Sequence, residues 1–262
     1  MPVMKRMPEQ IPVIVVDDTP VKLRGIAEFV GETSTLQLYA QLTKPAEAMK
    51  LIETICQEQA QSPTLAGWLV LLDLHLGSTN GLELGRGLLE LAPDLRIVIY
   101  TQDASWTLAA EIFRHEYPQR RNAQKRDKRA SAAGLHGYAL FANLEPRYLD
   151  QIATAVVVRR GNFIDPDVLR YLLKRLQGRR LTPRQEECAA LIAQGLSNDE
   201  IALRMGFLHG RGKANVGPVE NLVSELYLFF AIAGAPADPG RRVLLSQAYE
   251  AYIGWRQDPA EL

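Results

Sequence analysis

Residues 68–74 read WLVLLDL, the most apolar strand-like run in the chain, with one carboxylate, Asp73, near its end. A short apolar run of this kind reads as a strand buried on both faces. Similar runs flank it. VIVV at 13–16 leads into Asp17 and Asp18, LQLYA spans 36–40, RIVIYT spans 96–101, and GYALF spans 137–141. Helical spacing fills the gaps. One segment has apolar residues at 21, 23, 26, 27, 29 and 30 and closes at Gly31; others are AEAMKLIETIC (46–56), NGLELGRGLLELA (80–92) and a helix beginning near Ser105. A further helix runs from beyond Arg147 through Val158. Strands alternating with helices predict an α/β unit whose parallel sheet is covered on both faces.

The second half changes character. GNFIDP reads as a loop, Pro166 starts a short helix, and Gly178–Arg180 is a basic linker. No strand pattern is visible from Leu181 onward. TPRQEECAALIAQG is a helix with Thr182 as cap, Pro183 in the first turn and Glu186 in reach for a capping contact. Ser197 caps NDEIALRMG; a Gly-rich loop then leads to PVENLVSELYLFFAIAG, and RRVLLSQAYEAYIGW closes the chain. The expected division is 1–160, a helix and linker over 161–180, and an all-α unit over 181–262.

With 262 residues, 47% hydrophobic and 23% charged, the chain is long enough for two modest domains with separate cores. No apolar run approaches the roughly 18 residues needed to span a bilayer, and MPVMKRMPEQIP lacks the apolar centre of a signal peptide. Cys56 and Cys188 read as packed thiols of a reducing compartment. The expectation is a cytoplasmic protein without a membrane segment. His75, His115, His136 and His209 show no metal-ligand spacing. A phosphate loop ending at Gly212-Lys213 would need Gly at 207 and Ser or Thr at 214, where Phe207 and Ala214 stand. No nucleophile–base arrangement is evident, so no enzyme and no catalytic residue are expected.

The chemistry gathers at strand ends. In an open parallel sheet, ligands collect at the carboxyl ends of the strands. Asp17 and Asp18 end the first, Asp73 the third and Thr101 the fourth. Hard oxygen ligands in such a cluster suit Mg²⁺, and a carboxylate beside it can act as a nucleophile toward phosphorus.

VIVVDD, LLDLHLGSTNG with Gly81 eight positions after Asp73, IVIYT and AGLHGYALF together resemble the receiver domain of bacterial response regulators. The resemblance implies a flavodoxin-like fold, a doubly wound five-stranded sheet in the order 2-1-3-4-5. It implies that Asp73 accepts phosphate from a histidine kinase. Mg²⁺ would be held by Asp17, Asp18, Asp73 and the backbone carbonyl of His75. Thr101 would hydrogen-bond the phosphoryl group, and Tyr138 would be the aromatic that turns inward on activation. One position departs. The family places a lysine three residues after that aromatic, and this chain has Phe141. A phenyl ring offers an anion no donor, a loss of roughly 1.5–3 kcal/mol in a charge-assisted contact. The implied receiver is atypical, keeping the residues for phosphorylation but lacking part of the phosphate read-out. In addition, 40 positions separate Thr101 from Phe141, well beyond the family's spacing. The excess is a basic insert near 114–132, with seven Lys/Arg between 114 and 129 against Glu116 and Asp127. It reads as a surface for nucleic acid or an acidic partner, or as a solvated loop.

LTPRQEECAALIAQGLSNDEIALRMGF and VENLVSELY (219–227) resemble the four-helix helix-turn-helix domain of the LuxR/NarL class. That resemblance implies a dimeric, DNA-binding transcription regulator whose second helix enters the major groove. The candidate contacts are Arg211, Lys213, Asn221 and Ser224. Glu220 stands where the class commonly carries a base. Residues 179–262 hold nine basic and ten acidic side chains, a weak footprint for DNA. The alternative is a protein-interaction module that keeps both folds, for which Leu222, Leu228 and Phe229 would form an exposed apolar patch.

Overall fold

The computed structural model describes residues 10–58, 65–113, 135–176, 178–232 and 239–257. By contact these form two compact units, one from residues 10–104 and 135–165, the other from 105–113 and 166–257.

The first unit is built from β1 (Ile11–Val16), α1 (Pro20–Glu32), β2 (Leu36–Leu42), α2 (Pro45–Glu58), β3 (Leu69–Asp73), α3 (Gly81–Leu91) and β4 (Arg96–Thr101). After α4 (Trp106–Ile112), which belongs to the second unit, it resumes with β5 (Gly137–Leu140), α5 (Pro146–Ala153) and β6 (Phe163–Ile164). The sheet is parallel throughout, in the order 2-1-3-4-5-6. Every residue of β3 and β5 is buried, and only one residue each of β1 and β4 is not, as expected of strands covered on both faces. From α1, Leu23, Ile26 and Val30 pack on the sheet. Val21, which the sequence places among the apolar positions, is 80% exposed.

Within this unit, two elements differ from the sequence reading. The residues taken as a loop at GNFIDP contribute a sixth strand, β6, paired with Gly137 and Tyr138. Asp165 ties it down. Its N–H donates to the Tyr138 carbonyl at 2.8 Å, while its buried carboxylate accepts from the Leu140 N–H at 2.9 Å, from Asn143 Nδ2 and from the Tyr148 hydroxyl. Secondly, the helix through Val158 stays α-helical only to Ala153 and widens to a π turn over Thr154–Val158.

The second unit contains α6 (Pro166–Arg175), α7 (Pro183–Ala193), α8 (Asn198–Arg204), β7 (Leu208–His209), β8 (Lys213–Ala214), α9 (Gly217–Phe229) and α10 (Pro239–Gln257). The Gly-rich stretch read as a loop is an antiparallel hairpin, with His209 opposite Lys213. Residues 105–113, expected in the first domain, belong here because α4 packs against α6 and α10. Trp106, Ile112 and Phe113 are buried, and the Trp106 indole N–H donates to the Phe230 carbonyl at 2.9 Å. The last carbonyls of a helix lack intrahelical partners. Around the end of α9 they are met by Trp106, by Arg179 at Phe229 and by Arg241 at Ile232.

Thr182 caps α7 and Ser197 caps α8, each in a reciprocal capping box. The partner of Thr182 is Gln185 rather than Glu186, because only the third helical residue reaches back to the cap N–H. Glu186 instead pairs with Arg256 at 3.0 Å. The two cysteines are free thiols, Cys188 buried. The basic insert at 114–132 lies outside the described residues.

Replacing Asp165 by alanine would strand the buried Leu140 N–H and the partly buried Asn143 and Tyr148 donors at once, a buried one costing about 1–3 kcal/mol. Asp165→Ala is expected to lower unfolding free energy by at least about 3 kcal/mol in urea titration, with Asp165→Asn less damaging.

Candidate functional site

Asp17, Asp18 and Asp73 converge at the carboxyl ends of β1 and β3. One ligand oxygen from each lies within 4.8 Å of the others. Asp17 is fully buried and Asp73 is 2% exposed, while Asp18 faces solvent. Both Asp17 oxygens are engaged. Oδ1 accepts from the Thr19 N–H at 2.7 Å and Oδ2 from the Tyr100 hydroxyl at 2.7 Å. Tyr100 lies opposite Asp73 in the β3–β4 register and is part of the buried core.

Buried carboxylates this close repel, by roughly 4 kcal/mol for unit charges about 4 Å apart at an effective dielectric near 20. Lys22, in the first turn of α1, offsets that repulsion. Its Nζ donates to Asp73 Oδ2 at 3.1 Å and lies 3.6 Å from Asp17 Oδ2. Burial alone would lower the Lys22 pKa; the hydrogen bond and charge of Asp73, then those of Asp17, outweigh it and hold the ammonium above its ordinary range. Asp73 is raised, chiefly by burial. The Lys22 hydrogen bond opposes that rise, the Asp17 charge adds to it, and the Lys22 charge and the His75 backbone N–H oppose it again. The two shifts differ because the carboxylate is the deeper partner, 3% exposed against 20% for the lysine side chain. Burial first, then the charge and hydrogen bond of Asp17, push the Tyr100 phenol far above its usual range.

The backbone around the cluster is tightly constrained. A Cβ on Gly81 would lie 2.1 Å from the Asp73 carbonyl oxygen, so only glycine allows α3 to start against β3. His75 pairs with Asn80 in a two-residue hairpin, and the Asn80 side chain caps α3.

Thr101 is buried at the end of β4, and its Oγ1 accepts from the Asp103 N–H at 3.5 Å. Tyr138 is fully buried and donates its hydroxyl to the Asp103 carbonyl at 2.5 Å, so the aromatic expected to turn inward is already inward. Phe141 follows β5 and packs on the core, its ring centroid 6.2 Å from that of Tyr100 and 5.7 Å from Lys22 Nζ. The position expected to carry a cation thus presents an aromatic face to one.

Hard carboxylate oxygens at this separation fit a divalent cation, with exposed Asp18 providing the open side. Lys22 binds the same Asp17 and Asp73 carboxylates, so an arriving ion shares them with a resident ammonium.

In the second unit, α8, the β7–β8 hairpin and α9 form a helix-turn-helix with an extended turn. Lys213, Asn221 and Ser224 are exposed, and Arg211 lies in the hairpin tip. Ser224 Oγ donates to the Glu220 carbonyl at 2.8 Å, so its hydroxyl serves its own helix. The charged residues of α9 are Glu220 and Glu225, the latter accepting from Gln185 at 2.9 Å. The apolar run divides. Phe229 and Phe230 are buried against Tyr252, Leu222 is half-buried, and only Leu228, 78% exposed, faces solvent.

The chain thus combines a doubly wound parallel sheet carrying an acidic cluster at its strand ends with a helix-turn-helix unit. No family model matches the chain. It is 27% identical over 224 residues to the DNA-binding transcriptional activator DevR/DosR of Mycobacterium tuberculosis, covering 82% of this chain and 86% of that protein. It is 25% identical over 218 residues to the nitrate/nitrite response regulator NarL of Escherichia coli K12, covering 79% and 87%. A homologue of that regulator in Haemophilus influenzae is 25% identical over 234 residues, covering 87% and 95%. These likenesses support a response regulator of the NarL/LuxR type. No helix among the described residues is long and apolar enough to cross a membrane.

Sequence reasoning missed Lys22 and Tyr100. A signal for Lys22 was present: it stands four positions before buried Ile26, on the face of α1 that meets the sheet. Because the Asp73 carboxyl is raised, its contribution to stability is full below the ordinary carboxylate range and is lost as pH rises through its folded-state value. Asp73→Asn is therefore expected to raise Tm near neutral pH in metal-free buffer, with the gain vanishing under acidic conditions in thermal denaturation.

Proposed function

We propose that this chain is a cytoplasmic, dimeric transcription regulator in which an atypical receiver controls a DNA-binding helix-turn-helix domain. The observation that carries it is the Asp17, Asp18 and Asp73 cluster at the strand ends of one unit, in a chain whose other unit is a helix-turn-helix. Asp73 is the phosphoacceptor. One of its oxygens attacks the phosphorus of a phosphohistidine on a histidine kinase; the P–O bond forms as the P–N bond breaks, and the imidazole leaves with the electron pair. Asp17, Asp18, Asp73 and the His75 backbone carbonyl would hold Mg²⁺, which when bound neutralises phosphoryl oxygens. Thr101 hydrogen-bonds the phosphoryl group, and Tyr138, joined to Thr101 through Asp103, carries the change onward. No residue is assigned to enzymatic catalysis.

The relatives named above include a DNA-binding transcriptional activator, which supports DNA as the partner. Asn221 and Ser224 lie on the exposed side of α9, and Arg211 and Lys213 in the hairpin sequence would supply the cations for phosphate contacts. The rival reading, a protein-interaction module, needs an apolar patch from Leu222, Leu228 and Phe229. Burial of Phe229 and half-burial of Leu222 weigh against it.

Purified protein incubated with fragmented genomic DNA at two salt concentrations should enrich particular fragments, more weakly at the higher salt. Arg211→Glu and Lys213→Glu should each lower affinity across all bound fragments and reduce the salt slope by about 1. No enrichment at low salt, with or without beryllofluoride, would overturn DNA binding in favour of the protein partner.

A further inference from the structure

Lys22 has the geometry of a binding residue. Its Nζ is 3.1 Å from Asp73 Oδ2 and 3.6 Å from Asp17 Oδ2, and its side chain is 20% exposed. An ammonium carries three donors, and these two carboxylates use at most two of them. Its stem comes from the first turn of α1, and the Phe141 ring faces it at 5.7 Å.

We propose that Lys22 is the anion-binding cation of this site, holding a phosphoryl group on Asp73 with the charge that Phe141 does not supply. This rests on the reading of Asp73 as phosphoacceptor. The charge balance supports it. Asp17, Asp18 and Asp73 bring three negative charges, and a divalent ion cancels two of them. Lys22 cancels the third, so an incoming anion meets a neutral cluster rather than a negative one. Position supports it as well. An ammonium within hydrogen-bond reach of one Asp73 oxygen is close to whatever becomes attached to that carboxylate. The aromatic at 141 follows from the same arrangement. A second lysine there would face Lys22 at close range, whereas a phenyl ring packs on the core and offers the ammonium its π face.

The test is binding of beryllofluoride, as the phosphoryl stand-in, to the full chain at saturating Mg²⁺, followed by calorimetry, with circular dichroism confirming that each variant folds. Lys22→Met is expected to weaken binding at least about tenfold, and Lys22→Arg to retain much of it. The double variant Lys22→Met/Phe141→Lys, which moves the charge across the site, is expected to recover most of the loss. Unchanged or tighter binding by folded Lys22→Met would overturn the proposal and leave the phosphoacceptor reading intact. Absence of binding by the wild-type chain would overturn both. Recovery failing in a folded double variant would also count against it, since the role would then depend on something other than charge.

Discussion

The ends of β1 and β3 place Asp17 and Asp73 side by side inside protein, and the surroundings of the first unit's site answer that one electrostatic constraint. Tyr100 gives its hydroxyl to Asp17, the Thr19 N–H takes the other Asp17 oxygen, and Lys22 lies between the two carboxylates. Each of these groups comes from a different place: the turn after β1, the adjacent strand β4, and the start of α1. Unpaired buried charges cost several kcal/mol each, so the local chain path is set by the need to compensate them. Gly81 belongs to the same constraint, since the Asp73 carbonyl leaves no space for a side chain.

Compensation of this kind also bears on function. Under the proposed function the site accepts a metal ion and a phosphoryl group, and it is not fully compensated without them. Asp73 remains raised by burial even with Lys22 beside it. Stability is given up at the carboxylate proposed as phosphoacceptor, as is common where groups are held ready for a ligand.

Much of this was legible in the sequence, for reasons that can be stated. Asp17, Asp18, Asp73 and Thr101 could be found because a parallel sheet brings strand ends together whatever the details of packing. Lys22 was signalled only by its spacing from Ile26, because its role depends on the rotational phase of α1 against the sheet, and Val21 next to it points to solvent. Strand β6 and the β7–β8 hairpin are two residues per strand, too short for alternation to register. At the end of α9, Leu228, Phe229 and Phe230 look alike in sequence. Successive helical residues turn by about 100°, so one of the three faces water and two enter the core.

The allegiance of α4 is the least legible feature, because nothing in a helical pattern says which partner will bury it. Its consequence concerns how such a chain can be divided or recombined. A cut at the linker near residue 180 looks natural from the order of the sequence, yet it would remove Trp106 from the Phe230 carbonyl and both α4 and α6 from α10. The second unit draws its residues from two separate stretches of the chain. A transplanted output module would have to bring residues 105–113 with it, or find a substitute indole in its new host.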